Sequence, residues 1–330
     1  MNAKIFSFTK ISQNSIIASA RIAKFIANTL ELPLCWDATV GDDLADKLII
    51  IGGAFAFSGK DVLAALGAAI EHADSVVWVQ NDFTVIPPKD ESGAESPFRK
   101  AFRNRRDQGK RPIDYWTTVE PMSRPGKAAS GHIVGLGSKY VNWNVLTFEP
   151  NLPSMPMDQR PFSEYMIYYG SYRKDRERYF ERYLKAPPIK TVISCPTSKF
   201  FDNGFHGHDN IAHWDRVSDD LHGFLGKFGM GLYLEDKKSH SEYHSPANRF
   251  YEMLSARLPM VFQQEASKQL LKAEIDVDDF VAWNNDDIEH HFVHREDMLA
   301  AQTERWYDFC RGQRDVLPQL VKMIWQDYIQ

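Results

Sequence analysis

Apolar residues follow two alternating rhythms along this chain. Short unbroken apolar runs give way to stretches where apolar side chains recur every three or four positions. Residues 3–8 (AKIFSF) predict a strand. Residues 15–30 predict a helix, on the spacing of Ile16, Ala20, Ala23, Ala27 and Leu30, with Ile26 widening the face. DKLIIIGGAF (46–55) reads as a buried strand, 61–73 as a helix and DSVVWVQND (74–82) as another buried strand. GHIVGLG (131–137) and NVLTFEP (144–150) predict two more short strands.

A second series follows residues 149–163, whose four prolines read as a linker. Strands are expected at 164–172, 190–195, 230–236, 258–263 and 278–285, and helices at 173–185, 245–257 and 265–272. From Asp287 onward the pattern is helical and amphipathic, with Trp306, Phe309, Val316, Leu320, Ile324 and Trp325 expected inside. Repeated strand–helix alternation predicts two parallel α/β domains. The expected division is 1–150, then 164–300, then C-terminal helices at 301–330 that pack back on the first domain. Open parallel sheets bind ligands beyond the C-terminal ends of their strands, so the residues at those ends matter most.

Composition changes this picture little. The chain has 330 residues, 43% hydrophobic and 25% charged, which fits two globular domains. It has no apolar run near 18 residues, and its N-terminus lacks a secretory pattern. Cys35, Cys195 and Cys310 are too scattered for a disulfide framework or a zinc knuckle. A cytoplasmic protein without a membrane partner is expected. Charge is more informative. The net value is −5, yet residues 99–127 hold nine Lys/Arg against Asp107, Asp114 and Glu120, a local +6. The densest part is RKAFRNRRDQGKR (99–111). Such a run is commonly a solvated face; with Phe102, Tyr115 and Trp116 interleaved, it also suits phosphate contacts.

Three strand ends carry candidate chemistry. Strand 164–172 runs into Gly170-Ser171-Tyr172-Arg173 and a basic helix. That is an ordinary strand–helix turn, or a small-residue anion site supplemented by Arg173 and Arg176. Arg249 and Glu252 sit three apart, on one helical face. Alone they read as a surface ion pair; at a strand end, the arginine suits a diphosphate and the glutamate a ribose. Strand 74–82 ends in Asp82, which is either a turn residue or a general base. The DxD at Asp276-Val277-Asp278 and the pair His206 and His208 read as a solvated turn and a surface loop.

Taken in order, these segments resemble the DNA β-glucosyltransferase family of T-even bacteriophages. DKLIIIGGAFAFSGKDVLAAL resembles the family's second strand, turn and helix, and SVVWVQNDFTVIPP the strand that ends in its catalytic aspartate. MIYYGSYRKDRERYFERYL resembles the diphosphate-binding segment, and EDKKSHSEYHSPANRFYEMLSARLPMVF the segment whose arginine and glutamate hold phosphate and ribose. The resemblance implies the GT-B fold, with two Rossmann-like domains and a cleft between them. It implies Asp82 as base, and Gly170, Ser171, Arg173, Tyr243, Arg249 and Glu252 on a UDP-sugar. The family's second arginine aligns with Glu177, so Arg176 or Arg178 takes that role with a one-residue shift. The N-terminal turn FTKISQNS lacks the family's long loop, which leaves the sugar open.

The implied function is inverting transfer from a UDP-sugar, UDP-glucose foremost, to the hydroxymethyl group of 5-hydroxymethylcytosine or 5-hydroxymethyluracil in phage double-stranded DNA. The base would be flipped out, and the product would help DNA evade restriction. Arg99, Lys100, Arg103, Arg105, Arg106, Lys110 and Arg111 would contact DNA phosphates. A loosely held Mg or Mn ion is compatible with this, as is a monomer in the host cytoplasm. The alternative is a GT-B enzyme acting on a small molecule or other non-DNA acceptor.

Overall fold

The computed structural model describes residues 2–8, 18–52, 59–80, 97–118, 139–170, 172–194, 200, 203–205, 208–214, 220–236, 240 and 245–329. The chain divides into two units, Met1–Trp143 with Val316–Gln330, and Asn144–Asp315.

The first unit is built on six parallel strands. They are β1 (Ala3–Ser7), β2 (Leu34–Cys35), β3 (Lys47–Ile51), β4 (Ser75–Gln80), β5 (Asp114–Thr117) and β6 (Lys139–Tyr140), in the order β2-β1-β3-β4-β5-β6. Its helices are α1 (Ala18–Leu30), α2 (Lys60–His72) and α3 (Pro97–Asp107). β3 is almost wholly buried, as expected of a strand covered on both faces. Leu48, Ile50, Val76 and Trp78 pack under Leu66 and Ile70 of α2.

The second unit repeats the architecture with β7 (Phe162–Tyr169), β8 (Thr191–Ser194), β9 (Ile211–Trp214), β10 (Phe228–Tyr233), β11 (Met260–Gln263) and β12 (Val281–Ala282). All pairs are parallel, in the order β12-β11-β10-β7-β8-β9. Its helices are α4 (Glu177–Tyr183), α5 (Leu221–Leu225), α6 (Asn248–Ser255), α7 (Ala266–Leu271), α8 (Asn285–Val293) and α9 (Arg295–Ile329). β10 is buried throughout. A Cβ at Gly231 would fall 2.5 Å from Met253 Sδ, so the glycine lets α6 lie directly on the sheet.

Three expectations change. Residues 144–150 form no strand: Trp143–Thr147 is a 3-10 helix. Thr147 donates its hydroxyl to Asn144 O, and Asn144 donates its amide to Pro246 O, so side chains compete with any ladder. The proline-rich stretch is held down by the buried Arg160, which donates to Met155 O, Phe228 O and Arg257 O. In α9, Val316 is exposed and Leu317 takes the inward place. Trp306, Ile324 and Trp325 are buried as expected, whereas Phe309 and Leu320 are half-buried. α9 runs from the second unit into the first at residue 316, and Pro318 near that point removes the hydrogen bond to Arg314 O. Among the described residues no helix is long and apolar enough to cross a membrane. The strand expected at 131–137 lies outside the described residues.

Candidate functional site

In the second unit the strand order reverses between β7 and β10. Chain connections leave these neighbours in opposite directions, and α/β sheets open a ligand crevice at the C-terminal edge of such a pair. β7 ends at Tyr169 and Gly170; β10 ends at Tyr233, followed by Leu234, Glu235 and Asp236. Gly170 has φ +139°, and a Cβ there would lie 3.0 Å from Arg249 Nη2. Only glycine lets the backbone turn this way beneath a guanidinium.

Arg249 stands in the first turn of α6. Its Nε lies 3.1 Å from Glu235 Oε1, and its Nη1 donates to Leu234 O at 2.6 Å. Glu235 Oε2 takes Arg176 Nη2 at 2.6 Å. The same Nη2 reaches Asp236 Oδ2 at 3.3 Å, which also lies 3.5 Å from Arg173 Nη1. Charges therefore alternate in one chain: Arg249, Glu235, Arg176, Asp236, Arg173. Burial is the largest influence on Arg176 and Arg249 and opposes their charge; the Glu235 carboxylate overrides it, and both pKa values are raised.

Glu252 follows one turn later on α6. It is buried, and its Oε2 accepts the Tyr169 hydroxyl at 2.9 Å. Burial, reinforced by the Glu252 charge, pushes the Tyr169 phenol well above its ordinary value, so it remains a donor. The ion-pair reading of Arg249 and Glu252 is thereby corrected. Arg249 takes Glu235 as its carboxylate, and Glu252 takes a tyrosine.

Of the residues expected on the nucleotide, Gly170, Arg173, Arg249 and Glu252 come together here. Arg176 joins them from behind: it is 5% exposed, and its Nη2 is committed to Glu235 and Asp236. Arg178 is a correction. It lies over the Tyr179 ring, 3.9 Å from Glu265, and takes no part in the cluster. Asp82, Ser171 and Tyr243 lie outside the described residues.

The basic run also needs correction. α3 leads from the C-terminal end of β4 to the start of β5, so its last turn lies at the opposite, N-terminal edge of the sheet. Arg105 is 3% exposed and donates to the carbonyls of Ile70, Ala73, Asp74 and Arg111. Lys110 donates to Glu71 O and His72 O. Both serve the C-terminal end of α2, where cations and donors are favoured. Arg111 binds Tyr328 O and lies 3.3 Å from Asp114. Lys100, Arg103 and Arg106 are exposed, and the Arg99 side chain lies outside the described set. The interleaved aromatics are core: Phe102 packs on Trp78, and the buried Trp116 on Trp325.

Asp276 and Asp278 form a turn, in which Asp276 Oδ1 accepts the Asp278 N–H. His208 Nδ1 accepts the Asn210 N–H, while His206 lies outside the described residues. Among the described residues no three His, Cys, Asp or Glu side chains converge as metal ligands. Sequence reasoning missed Tyr169, Glu235 and Asp236. Two consecutive acids just beyond a buried strand, at the edge where ligands bind, were the available signal.

No protein-family model matches the chain, and no curated protein matches it. Solved structures do. T4 phage β-glucosyltransferase superposes with TM-score 0.70 at 13% identity, over 98% of this chain and 99% of that one. The T4 enzyme with UDP and Mn²⁺ gives 0.68 at 14% identity, again over 98% and 99%. An α-glucosyltransferase with UDP and a 13-mer DNA containing an HMU base gives 0.60 at 9% identity, over 96% and 99%. The chain has the two-domain α/β fold of these enzymes, the GT-B fold.

Proposed function

We propose that this protein is a UDP-sugar-dependent glycosyltransferase that modifies DNA. The observation that carries the reading is the convergence of Arg173, Arg249 and Glu252 on the β7/β10 crevice. The fold is shared with glucosyltransferases solved with UDP, UDP-glucose and DNA. Arg173 and Arg249 hold the donor diphosphate and stabilise charge on the departing UDP, a preorganised electrostatic contribution. Glu252 accepts hydrogen bonds from the ribose hydroxyls. Asp82, two residues beyond the end of β4, takes the proton from the acceptor hydroxyl as it attacks the anomeric carbon with inversion. Ser171 and Tyr243 complete the donor site in this reading.

The acceptor is the hydroxymethyl group of 5-hydroxymethylcytosine or 5-hydroxymethyluracil in double-stranded DNA. Base flipping brings it to Asp82, since a hydroxymethyl group on the major-groove edge of a paired base does not otherwise reach an enclosed site. Lys100, Arg103 and Arg106, with Arg99, are the cations assigned to DNA phosphates. UDP-glucose is the first donor to test. A Mg or Mn ion accompanying it would draw most of its ligands from the diphosphate. The protein acts as a monomer in the cytoplasm, the host's if the source is viral, and its product protects DNA from restriction.

The second reading is a GT-B enzyme with a small-molecule or other non-DNA acceptor. The net charge of −5 favours it, as do the internal commitments of Arg105, Lys110 and Arg111. One assay separates the two: a panel of UDP-sugars is offered with duplexes containing each modified base or none. Nucleoside mass spectrometry then reads the product, with Asp82→Ala alongside. The first reading expects a sugar mass on one modified base, reduced roughly 10²- to 10⁴-fold by the substitution. UDP-sugar turnover with no DNA product moves the acceptor to the second reading.

A further inference from the structure

Two carboxylates at an anion site call for explanation. Glu235 and Asp236 lie 3% and 4% exposed, directly behind the arginines assigned to the donor diphosphate. A phosphate entering the crevice would meet their repulsion. A chain that needed only positive charge there would do better with neutral residues.

We propose that Glu235 and Asp236 are positioning residues: by sharing the buried Arg176, they fix Arg249 and Arg173 at a set separation to engage the two phosphates of the donor. This rests on the donor reading given above. Three features support it. The Glu235 oxygens are divided, Oε1 to Arg249 and Oε2 to Arg176, so one carboxylate orients two guanidiniums. The Glu235 backbone is pinned in turn, its N–H donating to Gln263 Oε1 at 2.6 Å at the end of β11. Arg176 then links Glu235 to Asp236, and Asp236 to Arg173, so the two ends of the chain are set by one buried hub.

The charge arrangement fits the same role. Three arginines against two carboxylates leave a surplus of +1, with a cation at each end. Without the carboxylates, neighbouring guanidiniums would repel, and long flexible side chains would hold no fixed spacing. Arg173 remains half-exposed while Arg176 is buried, so the network runs from a rigid interior to an accessible end. Arg249 spends Nε and Nη1 on Glu235 and Leu234 O, which leaves its Nη2 edge over Gly170, at the mouth of the strand end.

The alternative is that the carboxylates merely neutralise buried charge. Calorimetric titration with UDP and with UMP distinguishes the two, on the full chain and on Glu235→Gln, Glu235→Asp and Asp236→Asn. Positioning predicts that UDP affinity falls by at least about 10-fold in each variant, the equivalent of one charged hydrogen bond. UMP affinity should fall much less, so the preference for the diphosphate shrinks. Glu235→Asp is the sharpest case, because it keeps the charge and shortens the reach. Unchanged or tighter UDP binding in the variants would overturn the proposal, as would equal losses for UDP and UMP. Thermal unfolding accompanies each titration. If Glu235→Gln fails to fold, Glu235→Asp and Asp236→Asn decide. If the unmodified protein binds no UDP, the donor reading itself falls, a result distinct from a failure of the variants.

Discussion

The Tyr169 hydroxyl donates to Glu252 Oε2 across 2.9 Å, from the last residue of β7 to the second turn of α6. This bond ties the two elements that flank the crevice and aims a buried carboxylate. Tyr169→Phe removes the donor and leaves the rings in place. The expected loss is roughly 1–3 kcal/mol in stability, from a buried carboxylate short of one partner. UDP affinity should also drop by about 10-fold. Urea denaturation and UDP titration check the two effects.

Arg105 offers a prediction of the opposite kind, structural and without a functional consequence of its own. Its guanidinium serves four carbonyls, three between the end of α2 and the start of β4 and the fourth, Arg111 O, just ahead of β5. Lysine has no fork to reach four acceptors at once. Arg105→Lys is expected to destabilise by about 2–4 kcal/mol, since carbonyls are left buried and unpaired. A shift in the urea midpoint without a change in the DNA salt slope is the expected pattern.

The exposed part of α3 behaves differently if it meets DNA. Lys100→Ala and Arg103→Ala together should leave folding intact. They should also reduce the slope of log affinity against log salt by about 1 per phosphate contact removed. Fluorescence anisotropy at several salt concentrations measures this directly. A slope unchanged from the parent would move the acceptor away from DNA on this face.

Alkaline pH should unfold the protein cooperatively. Burial is the main cause that raises the phenols of Tyr169, Tyr233 and Tyr328 above the ordinary 10, with Glu252, Glu235 and Asp114 adding to it respectively. A raised folded value means that the native state holds its proton longer than the unfolded chain. The stabilisation is therefore complete below about pH 10 and is lost as pH rises beyond it. Phenolate absorbance from these three rings should appear together with loss of circular dichroism, not before it.

The strands were legible because parallel strands covered on both faces read as continuous apolar runs. β3 and β4 illustrate this, as do β10 and β11. Short edge strands such as β2, β6 and β9 bury too little to leave a pattern. The segment 144–150 misled because Val145 and Phe148 are buried without belonging to a sheet. At the site, Arg249 and Glu252 were visible from spacing and from their place before a buried strand. Their true partners were not, since Glu235 lies 14 positions from Arg249, and Tyr169 lies 83 from Glu252. The basic run misled for a related reason. Local charge density says nothing about acceptors 31 to 39 residues away, and those acceptors took Arg105 and Lys110 into the fold.

The central claim is that the crevice at the ends of β7 and β10 holds a nucleoside diphosphate sugar. A crystal structure of the protein with UDP tests it most directly. The account predicts the diphosphate between Arg249 and Arg173, with the ribose hydroxyls on Glu252 and the Glu235–Arg176–Asp236 chain intact behind them. UDP bound elsewhere, or bound in this crevice without contact to Arg249 and Glu252, would contradict it.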